Sequence, residues 1–120
     1  MSEREILFRG KRVDNGEWAE GGFVPSLNGK RFYIGNMFEC VEIVPETRSE
    51  YTGLTDKNGT RIFEGDIVKV ADEYIDYAIW ANGCFCMARQ IMFYEFTYQD
   101  SNRMEVIGNI HDNPELLEGD

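Results

Sequence analysis

The sequence predicts a mostly β protein: short antiparallel strands in two small β modules, barrel-like or sandwich-like, followed by a short C-terminal helix. Two observations predict this class. Short runs of β-branched and aromatic residues recur along the chain, and four Asn-Gly dipeptides punctuate them. In addition, no window of about a dozen residues shows the apolar stripe of an amphipathic helix. We therefore expect hairpins to bury the core.

The length and composition describe one globular domain. The chain has 120 residues, of which 42% are apolar and 13% aromatic. This is enough to bury one modest core, and it is too apolar for a disordered chain. We assign residues 1–120 to a single domain with two sub-modules, 1–46 and 51–112. The polar stretch VPETRSEYTGL at 44–54 is predicted to link them.

The Asn-Gly pairs mark the expected hairpin turns. Both residue types tolerate positive φ, so each pair suits a type I′ turn. The first two pairs separate the strand-like runs ILFRGKRV, EWAEGGFV and KRFYIG, the third precedes RIFEGDIVKV, and the fourth lies between YAIW and CFCMAR. IMFYEFTY and MEVIGNI complete the strands. In the tail, Asn113 is predicted to cap a short helix at 113–118 that begins with Pro114.

The stretch YTGLTDKNGTRIFEGDIVKV at 51–70 has the glycines and charges of a phosphate-binding loop but not their order. A Walker loop places Lys-Ser or Lys-Thr and then a helix after its glycines. Here TRIF and DIVKV follow, and both are typical of strands. We predict a turn, a strand, a tight corner at Gly65 and a second strand. The Asp66 carboxylate is expected to accept a backbone N–H at that corner.

Three blocks of the sequence resemble a known family. ILFRGKRVDNGEW near the start, YTGLTDKNGTRIFEGDIVKV in the centre and VIGNIHDNPELLE near the end resemble, in order and spacing, the YopX family of phage and prophage proteins. NGCFCM at 82–87 lies where the central hairpin of that family is expected. The resemblance covers nearly the whole chain. It implies a gene of a tailed phage or prophage, expressed in a bacterial cytoplasm, and it brings no assigned catalytic residues.

The charge argues against free nucleic acid as the principal ligand. The 22 acidic and 12 basic residues give a net charge of -10, which repels phosphate backbones at long range. One basic cluster stands out, formed by Arg4, Arg9, Lys11 and Arg12, and we interpret it as a solvated strand face. The sequence shows neither an apolar run long enough to span a membrane nor a signal peptide. We therefore expect a cytoplasmic protein.

The cysteines are predicted to be free, buried thiols. Cys84 and Cys86 would share one face of a strand, but their C-x-C spacing differs from that of a structural zinc pair. Together with Cys40 they make an odd number, so they cannot all pair with one another. We predict no metal and no other cofactor.

No catalytic constellation is evident from the sequence. His111 is the single histidine, so a histidine-dependent base must be this residue; we interpret it as a solvated surface side chain. Glu64 and Asp66 flank Gly65 and are assigned to the corner rather than to acid–base chemistry or a hard cation. We therefore predict a protein that is not an enzyme.

The candidate interaction residues are cationic and aromatic. Segment 91–102 holds no Lys or Arg, so its aromatics lack the basic groove of a single-strand binding platform. Core packing or a subunit interface explains them better, and the tryptophans beside the Asn-Gly pairs are predicted to anchor the sheets. The cations are Arg9, Lys11 and Arg12, the aromatics are Tyr94, Phe96 and Tyr98, and the tryptophans are Trp18 and Trp80.

The predicted function is that of an accessory protein that binds other proteins and forms a homo-oligomer, because small β domains often cover their edge strands and aromatics in a symmetric interface. The partner would be a host or phage protein. One alternative is a nucleic-acid-associated factor that uses the Arg4–Arg12 strand and the aromatic face at 92–98. Another is an inhibitor of a host nucleic-acid-binding protein that exploits the acidic surface.

Overall fold

A computed structural model describes residues 6–35, 38–81, 84–89 and 98–118. The described chain is mostly β, as predicted, and its strands form antiparallel pairs. The chain divides into two compact units between Tyr51 and Thr52. The boundaries predicted for the sub-modules stay a prediction.

The first unit is an antiparallel meander. Its strands are β1 (Phe8–Lys11), β2 (Trp18–Pro25), β3 (Phe32–Gly35), β4 (Cys40–Ile43) and the first part of β5 (Ser49–Thr55). The spatial order is β4-β3-β2-β1-β5. Lys11 lies opposite Trp18 in the first hairpin, and Phe32 lies opposite Ile43 at the end of the third pair.

The end of β1 returns to the outer edge of β4. Arg12 and Ile43 form an isolated antiparallel bridge. The Val13 N–H donates to the Glu42 carbonyl at 3.0 Å, and the Val44 N–H donates to the Lys11 carbonyl at 2.8 Å. We call this junction the seam. It connects the end of β1 to β4, three strands away in the spatial order, so the first unit has the partial closure of a small barrel.

Glycine makes this closure tight. Ile34 and Ile43 are buried between the strands. A Cβ added to Gly10 would collide with the Ile43 side chain, and one added to Gly21 would lie 3.2 Å from the Gly35 Cα. The absence of side chains at these positions lets the strands approach closely around the two isoleucines.

The stretch 44–54, predicted to link the two modules, contains the boundary between the two units, but it has regular structure of its own. This stretch contains a 3-10 turn at Pro45–Thr47 and most of β5. Three of its polar residues, Thr47, Ser49 and Thr52, are buried, and their hydroxyl groups form hydrogen bonds, as buried polar groups commonly do. The Ser49 hydroxyl donates to the Thr47 carbonyl at 3.1 Å, and the Thr52 hydroxyl donates to the Ile62 carbonyl at 2.7 Å. Polarity in the sequence therefore did not indicate exposure.

The second unit contains a four-stranded antiparallel sheet in the order β10-β7-β8-β9. The continuation of β5 lies beside β6. The remaining strands are β6 (Arg61–Phe63), β7 (Asp66–Val70), β8 (Tyr74–Ala81), β9 (Cys84–Met87) and β10 (Met104–Asn109). The hydrophobic core consists of Ile62, Val68, Val70, Ala78, Phe85, Met87 and Met104. The predicted order of turn, strand, corner and strand is confirmed by β6 and β7 for residues 56–70, whereas residues 51–55 belong to strand β5.

The expected type I′ geometry at the Asn-Gly pairs is wrong for the described pairs. Only the glycines have positive φ, with values of 73° at Gly16, 72° at Gly29 and 84° at Gly59. The loops exceed two residues, and a type I turn followed by a left-handed glycine suits that length. In the first two pairs the asparagine contributes its side-chain oxygen instead: Asn15 accepts the Glu17 N–H and Asn28 accepts the Lys30 N–H, both at 2.9 Å. The fourth pair, Asn82-Gly83, lies outside the described residues.

The two consecutive positive φ angles that a type I′ turn requires occur elsewhere, at Ala71 (52°) and Asp72 (57°), which connect β7 to β8. The Glu73 N–H donates to the Val70 carbonyl at 2.9 Å and closes this turn. The alanine and aspartate at these positions give no type I′ signal in the sequence.

The tail forms a 3-10 turn at Pro114–Leu117 in place of an α-helix, and the Asn113 side chain makes no capping bond there. Its oxygen instead accepts the Asn109 N–H at 3.3 Å. A four-residue helix, α1 (Tyr98–Ser101), was not predicted. None of the helices in the described ranges is long and apolar enough to cross a membrane.

Candidate interaction surfaces

Two of the predicted cations lie over one tryptophan. The Arg9 guanidinium carbon is 4.6 Å from the ring centroid of Trp18, and the Lys11 ammonium is 5.6 Å from it. β1 places Arg9 and Lys11 on the same face, and the β1–β2 register puts Trp18 directly opposite Lys11. This cation–π group combines positive charge with a flat apolar ring.

The third predicted cation, Arg12, is engaged with Asp14. Its guanidinium donates two hydrogen bonds to that carboxylate, at 2.9 and 2.8 Å. The hydrogen bond with Arg12 lowers the pKa of Asp14, and the same bond raises the pKa of Arg12. Arg12 therefore belongs to an exposed ion pair rather than to the Arg9–Lys11–Trp18 group.

The predicted aromatic face at 92–98 falls largely outside the described residues. Tyr94 and Phe96 are not described, and Tyr98 is described only as the first residue of α1. The structure instead places the cations next to Trp18, which the sequence reasoning had assigned to anchoring the sheet. The signal for this grouping is the first hairpin itself, since its register brings Trp18 opposite Lys11.

A second aromatic group lies on the opposite face of the first sheet, and sequence reasoning missed it. The ring centroids of Phe8 and Phe23 are 5.5 Å apart, and those of Phe23 and Phe32 are 5.3 Å apart. The Arg48 guanidinium lies 4.9 Å from the Phe23 centroid. These are diagonal contacts across neighbouring strands. Finding them from sequence requires the hairpin registers, which the turn pattern alone did not supply.

A groove lies at the seam of the first unit. It has a volume of about 310 Å³ and is lined by Val13, Asp14, Cys40, Val41 and Glu42. We call it the seam groove. Three of its lining residues, Val13, Cys40 and Val41, are apolar, and the other two, Asp14 and Glu42, are acidic. Val13 is 56% exposed.

In the second unit, the apolar face of the sheet extends to exposed aromatics at both ends of β8. Alternation along β8 puts Tyr74 and Trp80 on the same face as the buried Ala78. Trp80 packs edge-on against Phe85, with ring centroids 4.8 Å apart, and is nevertheless 54% exposed. Tyr74 is 42% exposed. Trp80, which was predicted to anchor the sheet, therefore packs against a buried residue while leaving much of its own surface exposed.

A family model described as YopX protein matches residues 8–118. The chain belongs to the YopX family. Among solved structures, protein EF1440 from Enterococcus faecalis is similar to it, with 27% sequence identity, a TM-score of 0.64, and coverage of 97% of this chain and 100% of EF1440. A search of curated proteins gave no match.

In this YopX chain, the buried carboxylates bind the backbone. The predicted bond at the corner is confirmed, because Asp66 accepts the Phe63 N–H at 2.7 Å. Asp76 accepts the N–H groups of Tyr77 and Arg89, both at 2.8 Å. These carboxylates fasten turns and strand ends, as hydrogen-bonded buried acids commonly do.

The YopX chain has free cysteines at three different depths. Cys40 is exposed, Cys84 is half-buried and Cys86 is buried. The expectation that all three are buried is therefore wrong for Cys40. Burial, followed by the proximity of Cys84 and Asp76, raises the pKa of Cys86. In the ranges that the structure describes, no group of three His, Cys, Asp or Glu side chains could hold a metal ion.

His111 of the YopX chain is half-buried rather than fully solvated. Its backbone N–H donates to the Asn109 side-chain oxygen at 3.0 Å, and the same oxygen accepts the Asp112 N–H at 2.9 Å. These bonds form a compact turn after β10. The position of His111 is explained by this turn.

Proposed function

We propose that this YopX protein is a phage- or prophage-encoded accessory protein that acts in the cytoplasm of its bacterial host. In this proposal it binds other proteins, self-associates and catalyses no reaction. The observation that carries the proposal is the exposure of Trp80 at the end of the apolar sheet face. An exposed tryptophan next to an aromatic partner has the chemistry of an interface anchor.

The stabilisation that Trp80 can contribute to an interface follows from the area that it would bury. A tryptophan side chain can bury about 150–250 Å², and apolar burial is worth about 25 cal/mol per Å². Covering the exposed half of Trp80 would therefore contribute about 2–3 kcal/mol. In a two-fold interface each copy contributes the same patch, so the gain occurs twice. Tyr74, on the same face of β8, would add to it.

The proposal that the protein catalyses no reaction is supported by the hydrogen bonds that its buried carboxylates make. Asp66 and Asp76 are buried and accept backbone N–H groups, Asp66 through its Oδ2 and Asp76 through its Oδ1. A general base must reach a substrate proton, and a carboxylate enclosed in such bonds is poorly placed to do so. The geometry therefore favours a binding role.

The test is the molar mass in solution. Light scattering on the eluting protein should give at least twice the chain mass of 13.9 kDa at micromolar concentration. Trp80→Ser should lower the mass toward that of a monomer. Leu27→Ser removes another exposed apolar side chain, at the tip of the β2–β3 hairpin, and should leave the mass unchanged. A wild-type monomer would contradict self-association.

A second candidate function is association with nucleic acid, favoured by Arg9 and Lys11 over Trp18. A base could stack on the ring while the two cations meet phosphates. Labelled single- and double-stranded DNA and RNA, titrated at about 150 mM salt, test it. Binding tighter than about 1 µM that is lost in Arg9→Ala/Lys11→Ala would establish this role, whereas weak binding unaffected by the variant would remove it.

A further inference from the structure

We infer that the seam groove is a docking site for an extended segment of another protein that carries lysine or arginine. This inference deepens the proposed function by naming a partner chemistry. It rests on the claim that the protein acts through protein contacts, but it uses a different surface from Trp80.

The seam leaves part of the β4 edge open. Along a strand, alternate residues direct their backbone groups to the same edge. Glu42 and Val44 bond across the seam, so the N–H and C=O of Cys40 point to the same edge. Within the described residues no seam bond reaches Cys40, because the chain turns away after Val13. An extended segment could therefore continue the pairing at Cys40, as in β-strand addition.

The groove lies beside this open edge. Val13, Val41 and Cys40 offer apolar surface for the aliphatic stem of a long side chain. Glu42 is half-buried, and its carboxylate makes no hydrogen bond or ion pair within the described part of the chain. A lysine or arginine from the occupant would place its charge near this carboxylate.

The surrounding charge selects a basic occupant. Besides Glu42, the acids Asp14, Glu17 and Glu39 lie near Arg12, whose pKa each of them raises. Arg12 is the single base of this group, and its hydrogen bonds go to Asp14. A second copy of this chain, with a net charge of -10, would bring further acids to the groove. A basic segment of a different protein is the complementary occupant.

The probe is a capped five-residue peptide of alternating lysine and valine, titrated into isotopically labelled full-length protein and followed by backbone amide NMR. Saturable shifts are expected at Val13, Cys40, Val41 and Glu42. A peptide with glutamate in place of lysine should cause no such shifts. Glu42→Gln should weaken binding about twofold to fivefold, the range of exposed ion pairs. Glu46→Gln, which removes the same charge from the exposed 3-10 turn outside the groove, should not.

Three results would overturn the inference: no saturable shift, shifts located elsewhere on the acidic surface, or equal weakening by Glu42→Gln and Glu46→Gln. The amide spectrum of each variant reports its folding in the same experiment. The molar mass distinguishes this inference from the proposed function. A self-associating protein that ignores the peptide contradicts only the groove, whereas a monomer that binds it at the groove contradicts only self-association.

Discussion

The Asp56 carboxylate accepts a hydrogen bond from the backbone N–H of Val106, 2.8 Å away and 50 residues later in the chain. Its other oxygen accepts the N–H groups of Asn58 and Thr60, both at 2.9 Å. One buried side chain therefore shapes the loop between β5 and β6 and fastens that loop to β10. Asp56 makes this long-range contact although, in the sequence, it looks like an ordinary aspartate of a turn.

Removing this carboxylate should destabilise the protein. Asp56→Ala leaves three backbone N–H groups without their acceptor, and we expect the free energy of unfolding to fall by about 2–4 kcal/mol. Asp56→Asn keeps one acceptor oxygen but turns an N–H toward a donor, so a loss of about 1–2 kcal/mol is expected. Urea denaturation measures both values.

The matched control is Asp14→Asn, which changes an exposed aspartate whose partner is Arg12. Its urea midpoint should stay close to that of the wild type, because exposed ion pairs contribute little. Equal midpoints for Asp56→Asn and Asp14→Asn would show that Asp56 does not hold the β5–β6 loop against β10.

A second prediction concerns the close contact between Gly10 and Ile43. An added Cβ at Gly10 would collide with the Ile43 Cδ1 and would lie 3.0 Å from its Cβ. Gly10→Ala should therefore cost about 1–3 kcal/mol through overpacking. Ile43→Val removes the colliding methyl group, so the double variant should lose less than the sum of the single losses. Additive losses in a double-mutant cycle would argue against this contact.

The strand-forming runs were predictable because their β-branched and aromatic residues favour strands, and the fold places them in strands. ILFRGKRV and RIFEGDIVKV contain β1, β6 and β7, and EWAEGGFV contains all of β2 except its last residue, Pro25. The family resemblance was also confirmed. β5 was missed for a physical reason. Ser49 and Thr52 are polar, and they are buried because the fold supplies acceptors at Thr47 and Ile62. The Ile62 acceptor lies ten residues beyond Thr52, so a local sequence pattern does not reveal that the fold brings it there.

The interaction surfaces were harder to predict. Arg9 and Lys11 were identified as candidates, but their partner Trp18 emerges from the hairpin register. The seam groove depends on Val13 meeting β4, nearly thirty residues away along the chain. Such pairings are set by loop length and tertiary closure, whereas periodicity reports only which residues can share a face.

A third prediction concerns thiol reactivity. Cys40 is exposed and Cys86 is buried with a raised pKa, so a thiol reagent should modify Cys40 rapidly in the folded protein and reach Cys86 only on unfolding. Cys40→Ser should abolish the fast phase. Denaturation without reductant should release all three thiols of the chain. A fast phase that survives Cys40→Ser would contradict this assignment.

The raised pKa of Cys86 also gives a pH dependence. The folded state favours the protonated thiol more than the unfolded state does, so this contribution to stability is complete below the ordinary thiol pKa of about 8.5 and is lost as pH rises through the higher folded value. Urea midpoints should therefore fall on the alkaline side. Cys86→Ala should flatten that fall, although its cavity lowers stability at every pH. An unchanged slope would contradict the role of Cys86.

The last prediction concerns the turn between β7 and β8. Ala71 has a φ of 52°, and a left-handed conformation costs a residue with a Cβ about 1–2 kcal/mol. Glycine removes this strain but adds about 0.5–1 kcal/mol of entropy to the unfolded chain. Ala71→Gly should therefore raise the free energy of unfolding by about 0.5–1 kcal/mol. Ala81→Gly makes the same change at the end of strand β8, where no such strain exists, and should lower stability. If urea denaturation shows both variants losing stability equally, the left-handed turn at Ala71 is absent in solution.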